Sequence, residues 1–191
     1  GEAILLLGHP VAGKSTLAWC LLQHGWRLLS SELVAVSPDG LVLPGMHQLK
    51  IWQDAAVALK LNWKQLPPVR KGLKRYALHA HDLDCLPQAA PLRLIYALNH
   101  AKADSGQEDG AEVEDAKEKM SLKASHNFSQ TTSLMRLRNN AFQARVYRGM
   151  DAEAQLFMQA SVLARTVPMH ALIVPDGVKE MAESLKKVDL M

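Results

Sequence analysis

The chain has 191 residues, 48% of them hydrophobic, which is enough for one sizeable core and too little for two full domains. Its 22 lysines and arginines against 19 aspartates and glutamates leave a formal charge of +3, too even a balance to argue for nucleic acid. No apolar run approaches the roughly 18–20 residues that cross a bilayer, and the opening residues lack the basic start of a secretory leader, so the sequence predicts a soluble, cytoplasmic protein without a membrane partner.

The sequence begins at Gly1 rather than at a methionine, and reads as a single catalytic domain over 1–191, a C-terminal piece of a longer chain. Ala3–Leu7 is an unbroken apolar run, the pattern of a central strand covered on both faces, and Gly8 stops it. Residues 17–22 are rich in helix formers and apolar on most sides, with Gly25 placed to end the helix. Cys20 falls inside that helix, and with Cys85 it makes no metal-ligand spacing, so both read as reduced thiols.

Residues 27–30 and 33–36 look extended, Pro38-Asp39-Gly40 is a turn, and 41–43 returns as a hairpin arm, which predicts a mixed sheet. Asp54 is placed to cap a helix over 55–61, and Pro67-Pro68 breaks it off. Tyr76-Ala77-Leu78 follows a basic stretch, and 92–98 is a further strand. Residues 101–118 are acidic and poor in large apolar side chains, and are expected to form a flexible surface insertion. Helical character over 130–148, a better marked helix through Leu156, Ala160, Leu163 and Ala164, a strand at 171–174 and an amphipathic helix through Val178, Met181, Leu185 and Val188 complete the chain.

The chemistry is concentrated in Gly8-His9-Pro10-Val11-Ala12-Gly13-Lys14-Ser15-Thr16. A triphosphate packs several negative charges together, and backbone N–H donors at a helix N-terminus hold it without crowding. Glycines at 8 and 13 admit the sharp exit from the strand and close backbone approach, Lys14 brings a mobile positive charge to the β and γ oxygens, and Ser15 offers a hydroxyl to Mg²⁺. The motif sits between a predicted strand and a predicted helix, the context a nucleotide loop requires. Glu32 is the first acidic side chain after the loop helix and, with Ser15, the candidate metal ligand; the competing reading is a solvated glutamate at a strand end.

The run from Gly8 to Ala18, followed by Gly25-Trp26-Arg27-Leu28-Leu29-Ser30-Ser31-Glu32, resembles the C-terminal catalytic domain of HPr kinase/phosphorylase and the HPr-kinase-like serine kinases. Leu43-Pro44-Gly45-Met46-His47-Gln48-Leu49-Lys50-Ile51-Trp52-Gln53-Asp54 is similar to a Pro-Gly turn and Leu-x-x-Trp segment of the kinase-like branch. The resemblance implies an α/β, P-loop kinase-like domain with a mixed sheet, of the type related to PEP carboxykinase. It implies an ATP- and Mg²⁺-dependent enzyme phosphorylating a serine of a protein or peptide, and a homo-oligomer, since HPr kinases are hexamers. It also places Lys14 at the transferred phosphoryl group and pairs Ser31 with Glu32 where the family has an acidic pair, the first member the general base and the second a metal ligand.

A serine hydroxyl does not accept a proton at neutral pH as a carboxylate does, and loss of a general base commonly removes about 10²–10⁴ in rate. Two readings therefore stand: a serine kinase, or a nucleotide-binding module or weak triphosphatase impaired at Ser31. His47, Asp82 and Asp84 are the other candidate bases. Arg138, Arg145 and Arg148 lie near one helix face where they can meet phosphate, and Lys71, Lys74 and Arg75 form a separate basic cluster able to guide an acidic substrate; for both groups a solvated face is the competing reading.

Overall fold

A computed structural model of the chain describes residues 1–100, 123–175 and 177–185. The expected acidic insertion at 101–118 and Val188 lie outside the described residues. The strands are β1 (Ala3–Leu7), β2 (Leu41–Val42), β3 (Gln48–Trp52), β4 (Arg75–His79), β5 (Ala90–His100), β6 (Lys123–Asn127) and β7 (Met169–Val174). The helices are α1 (Lys14–Leu22), α2 (Gln53–Ala58), α3 (Gln130–Asn139), α4 (Ala144–Gly149), α5 (Glu153–Thr166) and α6 (Val178–Leu185).

The main sheet has the order β1-β5-β7-β6, and β2 pairs with the start of β5. β1, β5 and β7 are parallel, with Leu7 opposite Ala97 and Ile95 opposite Met169, while β6 runs antiparallel to β7. This is a mixed α/β fold with a mixed sheet. The parallel strands end together on one edge, where β1 gives way to the Gly8 loop.

β1 is a strand as read from its sequence, but it stands at the end of the sheet order rather than in the centre. Ile4 and Leu6 pack toward α1 and α6, whereas Ala3, Leu5 and Leu7 pack with Leu29, Val42 and Ile95 on the opposite face. An unbroken apolar run thus reports two covered faces, and says nothing of how many edges are paired. The expected hairpin shrinks to β2 and a single bridge between Val36 and Val42, closed by a turn in which Gly40 N donates to Ser37 O. The expected helix over 130–148 divides into α3 and α4, because Asn140 turns its side chain back to the Arg136 carbonyl at 2.9 Å and Gln143 takes a left-handed conformation, φ 48°.

β3 and β4 form a separate antiparallel ribbon in which Leu49 faces Leu78 and Ile51 faces Tyr76. Alternation along β3 buries Leu49 and Ile51 and leaves Gln48, Lys50 and Trp52 on the other face. α1 lies between this ribbon and the main sheet. Its Leu17, Cys20 and Leu21 enter the sheet core with Tyr96, Leu98 and Leu172, and its Ala18, Trp19 and Leu22 enter the ribbon core with Leu49, Ile51 and Leu78. A helix covered on two sides has no solvated stripe, which is why 17–22 reads apolar nearly all round. Among the described residues no helix is long and apolar enough to cross a membrane.

Cys20 is 2% exposed, and burial pushes its thiol up to about 11. At pH 8 its thiolate fraction is about one in a thousand. Cys85 is only partly buried, and its thiol is raised less strongly, by burial and by the Asp84 carboxylate against the opposing pull of Arg27. A thiol reagent at pH 8 is therefore expected to modify Cys85 first and Cys20 only after unfolding in guanidinium. Equal rates in the native protein would contradict the placement of α1 between two cores.

Candidate functional site

The loop from Gly8 to Gly13 joins the carboxyl end of β1 to the amino end of α1. A Cβ on Gly8 would stand 3.3 Å from the Ala12 Cβ and 3.4 Å from the Leu98 carbonyl, so the loop folds tightly onto β5. Ala12 is buried in the sheet core and anchors the loop from beneath, while His9, Pro10 and Val11 are exposed. Val11 and Gly13 both take left-handed conformations, φ 62° and 84°, so the backbone curls closely around Ala12. For β-branched Val11 that conformation costs about 1–3 kcal/mol, which the surrounding loop must offset. Curled backbone of this kind at a helix start forms an anion-binding concavity.

Gly13 caps α1 without a side chain, and the first turn carries no acidic residue, so no cap side chain takes its first amides and no carboxylate of that turn offsets the positive end of the helix dipole. Ser15 and Thr16 follow in that turn, each half-buried. The Lys14 ammonium folds back over the loop and donates to the carbonyls of Gly8 at 2.6 Å and His9 at 2.7 Å. Burial lowers its pKa; the Glu32 carboxylate opposes that shift and the Arg75 guanidinium adds to it. Lys14 thus shares one electrostatic neighbourhood with Glu32 and Arg75.

Glu32 does not reach this neighbourhood by the route expected from the sequence. Leu28 bridges in parallel to Cys85, and the strand paired with β1 is β5. The segment is instead tied to the chain before β3, where Gly45 N donates to Leu29 O and Ser31 N to Met46 O. A Cβ on Gly45 would stand 2.2 Å from the Ser30 Oγ and 3.0 Å from its Cβ, so a side chain there would displace the Ser30 hydroxyl. Glu32 sits at φ 58° in a tight three-residue turn closed by Leu33 N on Ser31 O, and this turn swings its carboxylate onto the Lys50 ammonium at 3.0 Å.

Ser31 is 9% exposed, and its Oγ lies 2.9 Å from the Met46 carbonyl and 2.5 Å from that of Gln48. Its single proton can serve one of them at a time. The other candidate bases are held elsewhere. His47 Nε2 donates to Leu29 O at 3.0 Å, Asp82 accepts from His79 N at 3.0 Å, and Asp84 pairs with Arg27 at 3.0 Å. Arg138 is paired with Glu153 across α3 and α5, and the side chains of Arg145 and Arg148 lie outside the described residues.

Sequence reasoning did not connect Lys50 and Arg75 to the loop. The signal was the polar–apolar alternation of Gln48-Leu49-Lys50-Ile51-Trp52, which marks a ribbon with one polar face. Ser15 and Glu32 offer one hydroxyl and one carboxylate. That donor set suits Mg²⁺, which keeps most of its water and phosphate ligands. Among the described residues no group of three or more His, Cys, Asp or Glu is placed to cage a metal. Comparisons of the chain with models of protein families, with curated proteins and with solved structures give no match.

Proposed function

We propose that the chain is a P-loop kinase-like domain that binds ATP with Mg²⁺ and transfers the γ-phosphoryl group to a serine of a protein or peptide. The observation that carries this reading is the Gly8–Thr16 segment, with an uncapped helix start, left-handed Gly13 and a Lys14 folded over the loop within reach of the Glu32 charge. The resemblance of this segment and of 25–54 to the HPr-kinase-like serine kinases supplies the acceptor class, and also a homo-oligomeric assembly.

In this reading the loop amides and Lys14 neutralise charge on the β and γ oxygens, and Lys14 exchanges its two carbonyl acceptors for phosphate oxygens. Ser15 and Glu32 would hold Mg²⁺, which supplies further charge neutralisation when bound. The serine oxygen of the acceptor bonds to the γ phosphorus as the bond to the β-bridging oxygen breaks, ADP leaves with the electron pair, and the hydroxyl proton passes to water. Phosphoryl transfer through a loose transition state depends on positioning and charge more than on a base, so Ser31 at the base position slows such an enzyme without forbidding it.

A second reading, a nucleotide-binding module or weak triphosphatase, is favoured by one observation: Ser31 is turned onto two carbonyls and Glu32 is paired with Lys50, so neither side chain of the pair stands ready as a base. Incubation with γ-labelled ATP, Mg²⁺ and serine-containing peptides separates the two. Label on peptide serine is the expected result. Label released only to water identifies a triphosphatase, binding without either identifies a module, and absence of binding sinks the nucleotide reading.

A further inference from the structure

We propose that Arg75 forms a second cationic wall of the phosphate site and engages the terminal phosphoryl group of a bound nucleoside triphosphate, an inference that rests on the nucleotide reading above. Residues directly opposite in an antiparallel ribbon share a face, so Trp52 with Arg75 and Lys50 with Ala77 stand on one side of β3 and β4. Lys50 on that face meets Glu32 at 3.0 Å, and Glu32 and Arg75 are the two charges that Lys14 feels. Arg75 thus shares a ribbon face with the lysine that meets Glu32 and lies close enough to Lys14 to act on its charge, so three cations and one carboxylate make a local excess of positive charge suited to an anion.

The three cations differ in how they are held. Lys50 is neutralised by Glu32, and Lys14 rests on two carbonyl oxygens. Arg75 has no carboxylate within ion-pair distance among the described residues, and its Nε is buried without a hydrogen-bond partner. Its guanidinium lies 5.6 Å from the centre of the Trp52 ring, a contact that gives the Nε–H no acceptor. A buried guanidinium N–H without an acceptor is costly, and a phosphoryl group offers the paired oxygens that match the guanidinium fork. A γ-phosphoryl group is thus the one held from two sides: the loop and Lys14 meet the β and γ oxygens, and the ribbon meets the γ group alone.

The test is calorimetric binding of MgATP and MgADP to the wild type, Arg75→Ala and Arg75→Lys, with Trp52 emission followed in parallel. Arg75→Ala is expected to weaken MgATP about tenfold while changing MgADP less than about twofold, with partial recovery in Arg75→Lys. Equal losses for both nucleotides, or none, would overturn the proposal and leave the nucleotide reading intact. A wild type that binds neither would remove both. If Arg75→Ala does not fold, the wild type decides: MgATP but not MgADP is expected to change tryptophan emission, and Trp52→Phe to abolish that change. An identical response to the two nucleotides overturns the proposal.

Discussion

Lys14→Ala is expected to weaken MgATP binding by about 100-fold or more and to leave the fold intact, as read by calorimetry and thermal melting side by side. Among the described residues the Lys14 ammonium is the side-chain cation that folds directly over the loop, and its present acceptors, the Gly8 and His9 carbonyls, lie where a phosphate-bearing ligand would displace it. Removing it frees two carbonyls at an exposed loop, which costs stability only about 0.5–1 kcal/mol. Burial already holds the Lys14 pKa below the ordinary lysine value, so the folded loop keeps this charge at a cost that a bound polyanion offsets. Affinity unchanged in a folded Lys14→Ala protein would dissociate the loop from nucleotide altogether.

The Ser31→Asp variant is expected to lose about 3 kcal/mol of stability, or roughly 6–12 °C in Tm, rather than to gain activity. Position 31 is 9% exposed and its side-chain oxygen faces the Met46 and Gln48 carbonyls, both acceptors. A carboxylate there has no proton to give either of them, and lone pairs would confront lone pairs in a place with little water. Ser31→Ala, which forfeits one hydrogen bond without adding charge, is expected to cost about 1 kcal/mol. Urea unfolding of the three proteins measures this directly. A Ser31→Asp protein as stable as the wild type, with faster transfer to serine, would mean that the side chain turns out of its carbonyl cradle toward the acceptor.

Much of the scaffold was legible because its signals are local. The apolar run of β1, the glycines and lysine of the loop, and the Pro-bounded β7 each declare themselves within about ten residues. The parts that were not legible depend on what lies across from them. β1 reads as central because its side chains are covered on both faces, although among the described residues the sheet continues from only one of its edges. The ribbon strand Gln48–Trp52 is faint in the sequence because its alternation spans only five residues, and the pairing with Arg75–His79 that gives it meaning is about 25 residues away. Glu32 was singled out from chain order, but its position follows from a left-handed turn and an ion pair to Lys50, neither of which a propensity or a motif encodes.

The placement of α1 also bears on how the molecule comes apart. Its two flanks are the shared boundary of the sheet core and the ribbon core, so neither core can open without exposing the helix that carries the phosphate loop. The two cores should then behave as one cooperative unit. Amides of β3 and β4, though outside the main sheet, are expected to exchange with solvent deuterium through the same opening event as those of β5, and a ligand gripping only the loop should slow exchange in the ribbon and the sheet together.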